Sequence, residues 1–187
     1  MRHKTVGGCV KIFKEKNMND SIILIGMPGS GKSTVGVQLA KHLGLEFIDT
    51  DLLIQTNQGR LLQDIVDTDG HEILRHIEAQ ELQQLTIHKA LVATGGSAVY
   101  SDSGMQNLKA QGIVIYLDVS FAEIESRITN SNNSRGIAKA KGQTLEDLYN
   151  ERIPLYKKYA DITINNNNHL QMDALSEAIN RFKNRPQ

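Results

Sequence analysis

The sequence has one cysteine, three prolines, no tryptophan and no net charge. The single cysteine, Cys9, cannot form an internal disulfide, so a disulfide-stapled fold is excluded and a reducing, cytoplasmic location is predicted. Because 21 basic residues balance 21 acidic ones, we predict neither nucleic acid nor a membrane surface as a partner. The chain also lacks an apolar run of the roughly 18 residues that would span a bilayer. Any anionic ligand must therefore be held by a local site.

The length and composition indicate one globular domain. At 187 residues the chain is only slightly longer than a domain of roughly 150 residues. Its apolar fraction of 40% is enough to build a core without disulfides or a structural metal. Residues 1–20 are basic and lack periodicity, and we interpret them as a flexible N-terminal arm. Residues 21–187 form the predicted domain, which we expect to be a monomer.

From Ser21 onward, short apolar runs alternate with longer amphipathic segments, a pattern typical of β-α units around a parallel sheet. Strands are predicted at Ile22–Ile25, Glu46–Ile48, Leu91–Ala93, Ile113–Leu117 and Ile162–Ile164. Helices are predicted at Lys32–Leu43, Leu61–Thr68, Gly70–His88, Gly104–Ala110, Phe121–Thr129, Thr144–Tyr159 and Leu170–Lys183. The polar stretch from Thr129 to Thr144 is predicted to be a mobile loop. Tyr156 and Tyr159, at helical spacing, are expected to pack against the sheet.

The clearest chemical motif is GMPGSGKST from Gly26 to Thr34, which matches G-x-x-x-x-G-K-S/T between a predicted strand and a predicted helix. Glycines allow a tight turn in which backbone N–H groups point at phosphate oxygens, and the helix adds its positive end. Lys32 is expected to bridge the β- and γ-phosphates, and Ser33 to offer its hydroxyl to Mg²⁺. This motif predicts a nucleoside triphosphate site. Its predicted contacts are Gly29, Ser30, Gly31, Lys32, Ser33 and Thr34.

Two carboxylates follow the second predicted strand, at Asp49 and Asp51. In a parallel sheet this strand end lies at the same edge as the phosphate loop, so the pair suits metal or hydroxyl recognition. Residues two apart in an extended segment face the same side, which would put both carboxylates in one cleft. The alternative is that Asp51 only caps the next helix.

Six motifs occur in order along the chain, and together they resemble the shikimate kinase family. They are Gly26 to Thr34, Asp49-Thr50-Asp51, Leu74-Arg75-His76-Ile77-Glu78, Gly95-Gly96-Ser97, Arg135-Gly136-Ile137 and Arg152-Ile153-Pro154-Leu155-Tyr156. The resemblance implies a three-layer α/β/α P-loop kinase fold with a five-stranded parallel sheet in the order 2-3-1-4-5. It also implies a helical substrate-binding insert at about residues 51–80 and a lid at about 129–144. The implied reaction transfers the γ-phosphoryl group of ATP, with Mg²⁺, to the 3-hydroxyl of shikimate.

The resemblance also implies roles for the acidic and basic residues around the acceptor. Asp51 would bind the substrate hydroxyls and assist the proton of the attacking one, while Asp49 would orient Mg²⁺ through water. Arg75 and Arg152 would bind the carboxylate, for which a planar cationic fork is well suited.

Four further positions take roles from the same resemblance. Gly95 and Gly96 would offer backbone N–H groups close to the substrate. Arg135, on the lid, would reach the transferred phosphoryl group. Arg127 would stack on adenine. For Arg127 and Arg135 the alternative is a surface ion pair.

Three positions depart from the family pattern: Ser97 replaces a third glycine, Gly136-Ile137 replaces Pro-Leu, and Leu74 replaces an aromatic residue. Ser97 is expected to narrow the site or to require an unfavourable φ angle. Two alternatives stay open on the sequence. One is a kinase for another small polyhydroxy acid such as gluconate, and the other is a nucleotide-binding module without turnover.

Overall fold

The structure is a computed structural model that describes residues 21–130, 142–167, 175–177 and 179–180. The predicted N-terminal arm, residues 1–20, lies outside the described residues. So do residues 131–141 of the predicted lid, which include Arg135.

The five described strands form one parallel sheet in the order β2-β3-β1-β4-β5, which confirms the predicted topology. Ile23, on the central strand, pairs with Val92 on one side and with Val114 on the other. Both neighbours are buried, as is typical of continuous apolar strands covered on both faces. The strands are β1 (Ser21–Ile25), β2 (Glu46–Asp49), β3 (Ala90–Ala93), β4 (Gly112–Asp118) and β5 (Ile162–Asn165).

Seven helices with defined ends surround the sheet in the described residues. They are α1 (Lys32–Leu43), α2 (Thr50–Gln58), α3 (Leu62–Asp69), α4 (His71–Gln84), α5 (Asp102–Gln111), α6 (Phe121–Asn130) and α7 (Leu145–Tyr159). A short 3₁₀ turn spans Ala98–Tyr100, and residues 175–177 and 179–180 are helical. The sequence missed α2. The helix predicted from Gly70 continued to His88, four residues beyond the end of α4, and the predicted lid began at Thr129, which lies inside α6.

The sheet separates two apolar layers, so the predicted three-layer arrangement is confirmed. Alternate residues of β1 face opposite sides: Ile23 packs with residues of α5 and α7, and Leu24 packs with α1 and the C-terminal helical residues. As predicted, Tyr156 and Tyr159 belong to the first of these layers. The ring of Tyr156 stacks on that of Tyr116 in β4, with 5.2 Å between ring centroids.

The helices between β2 and β3 have a small core of their own. Ile54 of α2, Ile65 of α3 and Leu74 of α4 are buried together. This cluster holds the insert over the edge of the sheet at which β1, β2 and β3 end. No helix in the described part of the chain has both the length and the apolar composition that a membrane crossing needs.

Candidate active site

The phosphate loop connects β1 to α1 through backbone conformations that favour glycine. Gly29 and Gly31 have φ angles of 77° and 90°, in the left-handed region that a side chain disfavours. Gly31 caps the N-terminus of α1, so the positive end of this helix faces the loop. Inside the loop, the Ser30 N–H donates to the Met27 carbonyl over 3.0 Å. The loop thus has the glycine conformations and the helix N-terminus that the predicted phosphate site needs, and phosphate binding stays a prediction.

Lys32 is folded into this loop. Its Nζ donates to the carbonyl oxygens of Gly26 and Met27 over 2.8 and 2.9 Å, and only 8% of the residue is exposed. Burial is the main reason that its pKa is lowered to about 8, while the nearby Asp51 carboxylate acts in the opposite direction. A buried ammonium is stabilised by an anion beside it. The loop is thus electrostatically suited to a phosphate group.

The two aspartates lie together, but for a different reason from the predicted one. Asp49 ends β2, and its Oδ1 accepts from the N–H of Asp51 over 3.0 Å and that of Leu52 over 3.4 Å. Asp49, and not Asp51, is therefore the N-cap of α2. Asp51 lies in the first helical turn and not in an extended segment. The cap geometry brings the two side chains together, and the strand alternation invoked from the sequence does not apply.

The two carboxylates differ in their surroundings. Asp49 Oδ2 accepts from the hydroxyl of Ser33 over 2.7 Å, which links the end of β2 to the phosphate loop. Burial, and then the charge of Asp49, raise the pKa of Asp51. The carboxylate of Asp51 is therefore a stronger base than an ordinary exposed aspartate, and Asp49 is committed to Ser33 and to the cap.

Gly95 and Gly96 follow β3 where side chains from several elements converge. A Cβ on Gly95 would collide with Glu78 Oε1 and lie 2.7 Å from Asp51 Oδ1. A Cβ on Gly96 would lie 3.0 Å from Arg152 Nη1. The Gly95 N–H donates to Thr50 Oγ1 over 2.9 Å. This bond ties the segment after β3 to the start of α2 and already uses the Gly95 N–H that was predicted to face the substrate, while the role of the Gly96 N–H stays a prediction.

Arg75 and Arg152, predicted to act together, are brought to the same aromatic ring. The guanidinium carbons of Arg75 of α4 and Arg152 of α7 lie 4.0 and 5.3 Å from the ring centroid of Tyr100. Arg152 is 1% exposed, which is rare for a charged side chain. Two guanidinium groups at one buried place form a strong site for a carboxylate. The sequence missed Tyr100, because no spacing rule connects it to either arginine.

Ser97 does not strain the backbone, contrary to one of the two expectations for it. Its φ angle is −95°, which any residue adopts. Its hydroxyl donates to Glu78 Oε2, while Oε1 of Glu78 is buried and accepts no hydrogen bond from the described residues. Burial raises the pKa of Glu78 to about 7, and the bond from Ser97 acts in the opposite direction. Glu78 matched the family pattern, but no sequence motif indicates this environment.

Glu78 should make the stability of the protein depend on pH. Its carboxyl holds a proton up to about pH 7 in the folded state and releases it near 4.5 when unfolded. The free energy of unfolding should therefore fall as the pH rises from 4.5 to 7, by on the order of 3 kcal/mol in all. We expect Glu78→Gln to be more stable than the wild type at pH 8 and not at pH 4.5. Urea unfolding at both pH values measures this difference.

A matched control is Glu72→Gln, which removes an exposed carboxylate from the same helix. It should leave the pH dependence unchanged. If Glu78→Gln follows the wild type at both pH values, the buried carboxyl does not have a raised pKa.

A cavity of about 160 Å³ lies against these residues. Its wall includes Arg75, Glu78, Ser97 and Tyr100. Within the described residues, Nε of Arg75 is buried and has no hydrogen-bond partner. The residues that carry the two unpaired polar atoms, Nε of Arg75 and Oε1 of Glu78, therefore line the cavity, although both atoms are themselves buried.

Arg127 joins the phosphate loop to the segment after β5. Its side chain donates to the carbonyls of Gly29 over 3.3 Å and Asn166 over 2.8 Å. It also forms the surface ion pair considered from the sequence, with Glu123 at 2.8 Å. The side chain lies beside the phosphate loop, and its stacking on adenine stays a prediction.

The parallel sheet, the glycine-rich loop and the buried lysine define a P-loop phosphotransferase, and comparison with known proteins specifies the family. The shikimate kinase family profile matches residues 28–183. The chain therefore belongs to the shikimate kinase family, whose members transfer a phosphoryl group to a hydroxyl.

Individual relatives agree with this assignment. A shikimate kinase of Vibrio parahaemolyticus is 37% identical over 147 residues, covering 77% of this chain and 85% of the relative. One of Haemophilus influenzae is 39% identical over 148 residues, covering 77% and 82%. The structure of a shikimate kinase from Acinetobacter baumannii in complex with shikimate is similar, with a TM-score of 0.74 at 33% identity, covering 87% of this chain and 92% of that one.

Proposed function

We propose that this protein transfers the γ-phosphoryl group of ATP to the 3-hydroxyl of shikimate. The observation that carries the proposal is the convergence of Arg75 and Arg152 on one ring. Two adjacent glycines connect this place to Asp51, because a Cβ on Gly96 would lie 3.0 Å from Arg152 Nη1 and one on Gly95 would lie 2.7 Å from Asp51 Oδ1. A cyclic polyhydroxy acid needs a cationic fork for its carboxylate and acceptors for its hydroxyls. The described residues supply both next to the phosphate loop.

Asp51 is the residue we assign to the attacking hydroxyl. Its pKa is raised by burial and by Asp49, and a carboxylate with a raised pKa is better matched to accept a proton from an alcohol. Asp51 lies close to Gly95, where a Cβ would be 2.7 Å from Asp51 Oδ1, and its charge acts on Lys32 of the phosphate loop, which supports this assignment. Asp51 would bind the hydroxyl, align it with the phosphoryl group and take its proton.

Lys32 is the residue we assign to the transferred group. Its ammonium lies in the phosphate loop and already donates to two carbonyl oxygens. When nucleotide phosphates enter, those hydrogen bonds can be exchanged for bonds to phosphate oxygens. Charge that builds up on these oxygens in the transition state is then stabilised by a group that is already in place.

Ser33 and Asp49 fit a magnesium ion. Their oxygens are 2.7 Å apart, and hydroxyl and carboxylate oxygens are ligands that Mg²⁺ prefers. No group of three or more His, Cys, Asp or Glu side chains in the described residues could hold a metal alone. This agrees with an ion bound through one or two protein oxygens and the substrate phosphates. The ion would neutralise phosphate charge; Ser33 would bind it and Asp49 would orient its water.

Further assignments complete the proposal. Gly29, Ser30, Gly31 and Thr34 would contact the phosphates, and Arg127 would stack on adenine. Gly96 would offer its N–H to the acceptor. Arg135 would reach the transferred phosphoryl group from a lid at residues 129–144. We also propose a monomeric, cytoplasmic enzyme with an insert at about residues 51–80, a flexible arm at 1–20 and no nucleic-acid partner.

The proposal is tested by the two arginines. Arg75→Ala or Arg152→Ala should weaken shikimate binding about ten- to a hundred-fold, because a charged hydrogen-bonding partner is lost. Arg152→Lys keeps the charge but loses the planar fork, so it should recover only part of the loss. The acceptor KM is measured for shikimate and for an analogue in which a neutral amide replaces the carboxylate.

Each arginine variant should show a far larger increase in the KM for shikimate than in the KM for the amide. Arg60→Ala is the control, since Arg60 forms a surface ion pair with Asp69 within the insert. This variant should leave the KM for shikimate and the KM for the amide unchanged. Equal losses on the two acceptors would assign Arg75 and Arg152 to the phosphates or to fold stability. Turnover of gluconate in place of shikimate would favour the other acceptor, and no turnover with either would favour the non-catalytic module.

A further inference from the structure

Tyr100 lies at the centre of the predicted carboxylate site, although no sequence motif includes it. It ends the 3₁₀ turn that follows Gly95, Gly96 and Ser97. Its ring contacts the guanidinium groups of Arg75 and Arg152 at 4.0 and 5.3 Å. These arginines belong to different elements, α4 of the insert and α7 after the predicted lid. The ring is thus a surface that both share.

The hydroxyl of Tyr100 is held as firmly as the ring. It donates to Glu151 Oε1 over 2.7 Å and accepts from Arg152 Nε over 3.3 Å. Glu151 is fixed in turn, because Gln143 donates to its Oε2 over 2.6 Å. The bond from Tyr100 is the main reason that the pKa of Glu151 is lowered. The ionised carboxylate of Glu151 therefore orients Tyr100 through its hydroxyl, and the ring contacts the two arginines.

Two guanidinium groups that must bind one carboxylate repel each other before the ligand arrives. An aromatic ring attracts cations to its electron-rich face without neutralising them, so it can hold both groups and still leave their charge to the ligand. A carboxylate in the same place would instead compete with the substrate. Arg75 fits this arrangement, because its Nε makes no hydrogen bond within the described residues and its side chain lines the cavity.

We propose that Tyr100 is a positioning residue that sets the orientation of Arg75 and Arg152 and thereby gives the acceptor site its preference for a carboxylate. This inference rests on the proposed function and names a residue that determines its specificity. Tyr100 acts through the arginines and takes no part in phosphoryl transfer. Its loss should therefore affect the acceptor KM and leave the KM for ATP nearly unchanged.

The test compares Tyr100→Leu with Tyr100→Phe. Tyr100→Leu removes the ring, and the shikimate KM should rise about five- to thirty-fold, since two contacts of this kind are lost. Tyr100→Phe keeps the ring and loses the hydroxyl, so it should recover most of this loss. The amide analogue should bind both variants nearly as well as it binds the wild type, because it does not use the guanidinium charge. Tyr100→Met provides a second ringless variant if Tyr100→Leu does not fold.

The matched control is Tyr149→Leu. Tyr149 is also half-buried and lies on α7, but its ring packs against Phe121 and its hydroxyl donates to the Val119 carbonyl, whereas the ring of Tyr100 contacts the two arginines. Its loss should leave the selectivity between shikimate and the amide unchanged.

Three outcomes would overturn the inference. An unchanged shikimate KM in active Tyr100→Leu overturns it and leaves the proposed function standing. An equal increase in KM for shikimate and for the amide also overturns the inference and leaves the proposed function standing, because it assigns Tyr100 to fold stability. If the wild-type enzyme does not phosphorylate shikimate, the proposed function falls and the inference falls with it.

Discussion

Lys32→Ala is expected to lower phosphoryl transfer by at least about 10²- to 10³-fold, because charge that develops on the transferred group loses its preorganised cation. The fold should persist, since the lysine packs within the phosphate loop and belongs to neither apolar layer. Steady-state turnover with saturating shikimate measures the loss, and circular dichroism and thermal unfolding check the fold.

Two further variants make this test specific. Lys32→Met fills the buried space without a charge and should be as inactive as Lys32→Ala. This comparison separates the missing charge from the lost packing volume, because neither alanine nor methionine donates to the carbonyl oxygens of Gly26 and Met27 that the lysine satisfies. Lys41→Ala removes an exposed lysine from the same helix and should leave turnover unchanged. Normal turnover in Lys32→Ala would contradict assignment of the phosphate loop as the ATP site.

The sheet could be predicted from local patterns because its inner strands β1, β3 and β4 are mostly continuous apolar runs, while the edge strands β2 and β5 are short segments bounded by turn residues. β1 and β3 are buried along their whole length, so each appears in the sequence as an uninterrupted hydrophobic segment between turn residues. The strand order could not be predicted from these local patterns. Apolar patterning does not say which strand lies beside which, and the order β2-β3-β1-β4-β5 came from the resemblance to a family.

Helix α2 could not be found by hydrophobic periodicity. Its apolar residues are adjacent in sequence, and of these only Ile54 is buried, while Leu52 is 61% exposed. The signal that was available is the cap, since Asp49 is followed by an acidic residue in the first turn. Treating Asp49 to Asp51 as one extended segment concealed the cap, although Asp49 both ends β2 and caps α2. The same assumption led to Asp51 being considered as the cap.

The environment of the acceptor site depends on tertiary contacts that a sequence does not display. Ser97 and Glu78 are 19 positions apart, and Tyr100 meets its arginines from α4 and α7 only after both helices have docked. Ser97 was expected to narrow the site or to strain the backbone because the family pattern has a glycine at this position. Its hydroxyl in fact binds a buried carboxylate, which only the packed structure shows.

Asp51→Asn is the second change for which we expect a large effect. The amide keeps the shape of the side chain but cannot take a proton from the attacking hydroxyl, so turnover should fall by about 10²- to 10⁴-fold. ATP binding should change little, because we assign the Asp51 carboxylate to the acceptor hydroxyl and not to the nucleotide phosphates. Rapid-quench measurement of the chemical step and calorimetric titration with an unreactive ATP analogue separate the two effects.

Asp49→Asn should behave differently, and this difference tests the division of roles between the aspartates. Asparagine is as good an N-cap as aspartate, so α2 should stay folded and Asp51 should stay in place. The lost charge lies next to Ser33, and the expected result is a higher Mg²⁺ concentration for half-maximal rate with a smaller loss of the maximal rate. Asp64→Asn, on the exposed side of α3, should change neither quantity. Equal shifts in Mg²⁺ dependence for Asp49→Asn and Asp51→Asn would show that both carboxylates bind the metal. A different residue would then have to accept the proton, and the buried Glu78, which lies beside Gly95, would be the nearest alternative.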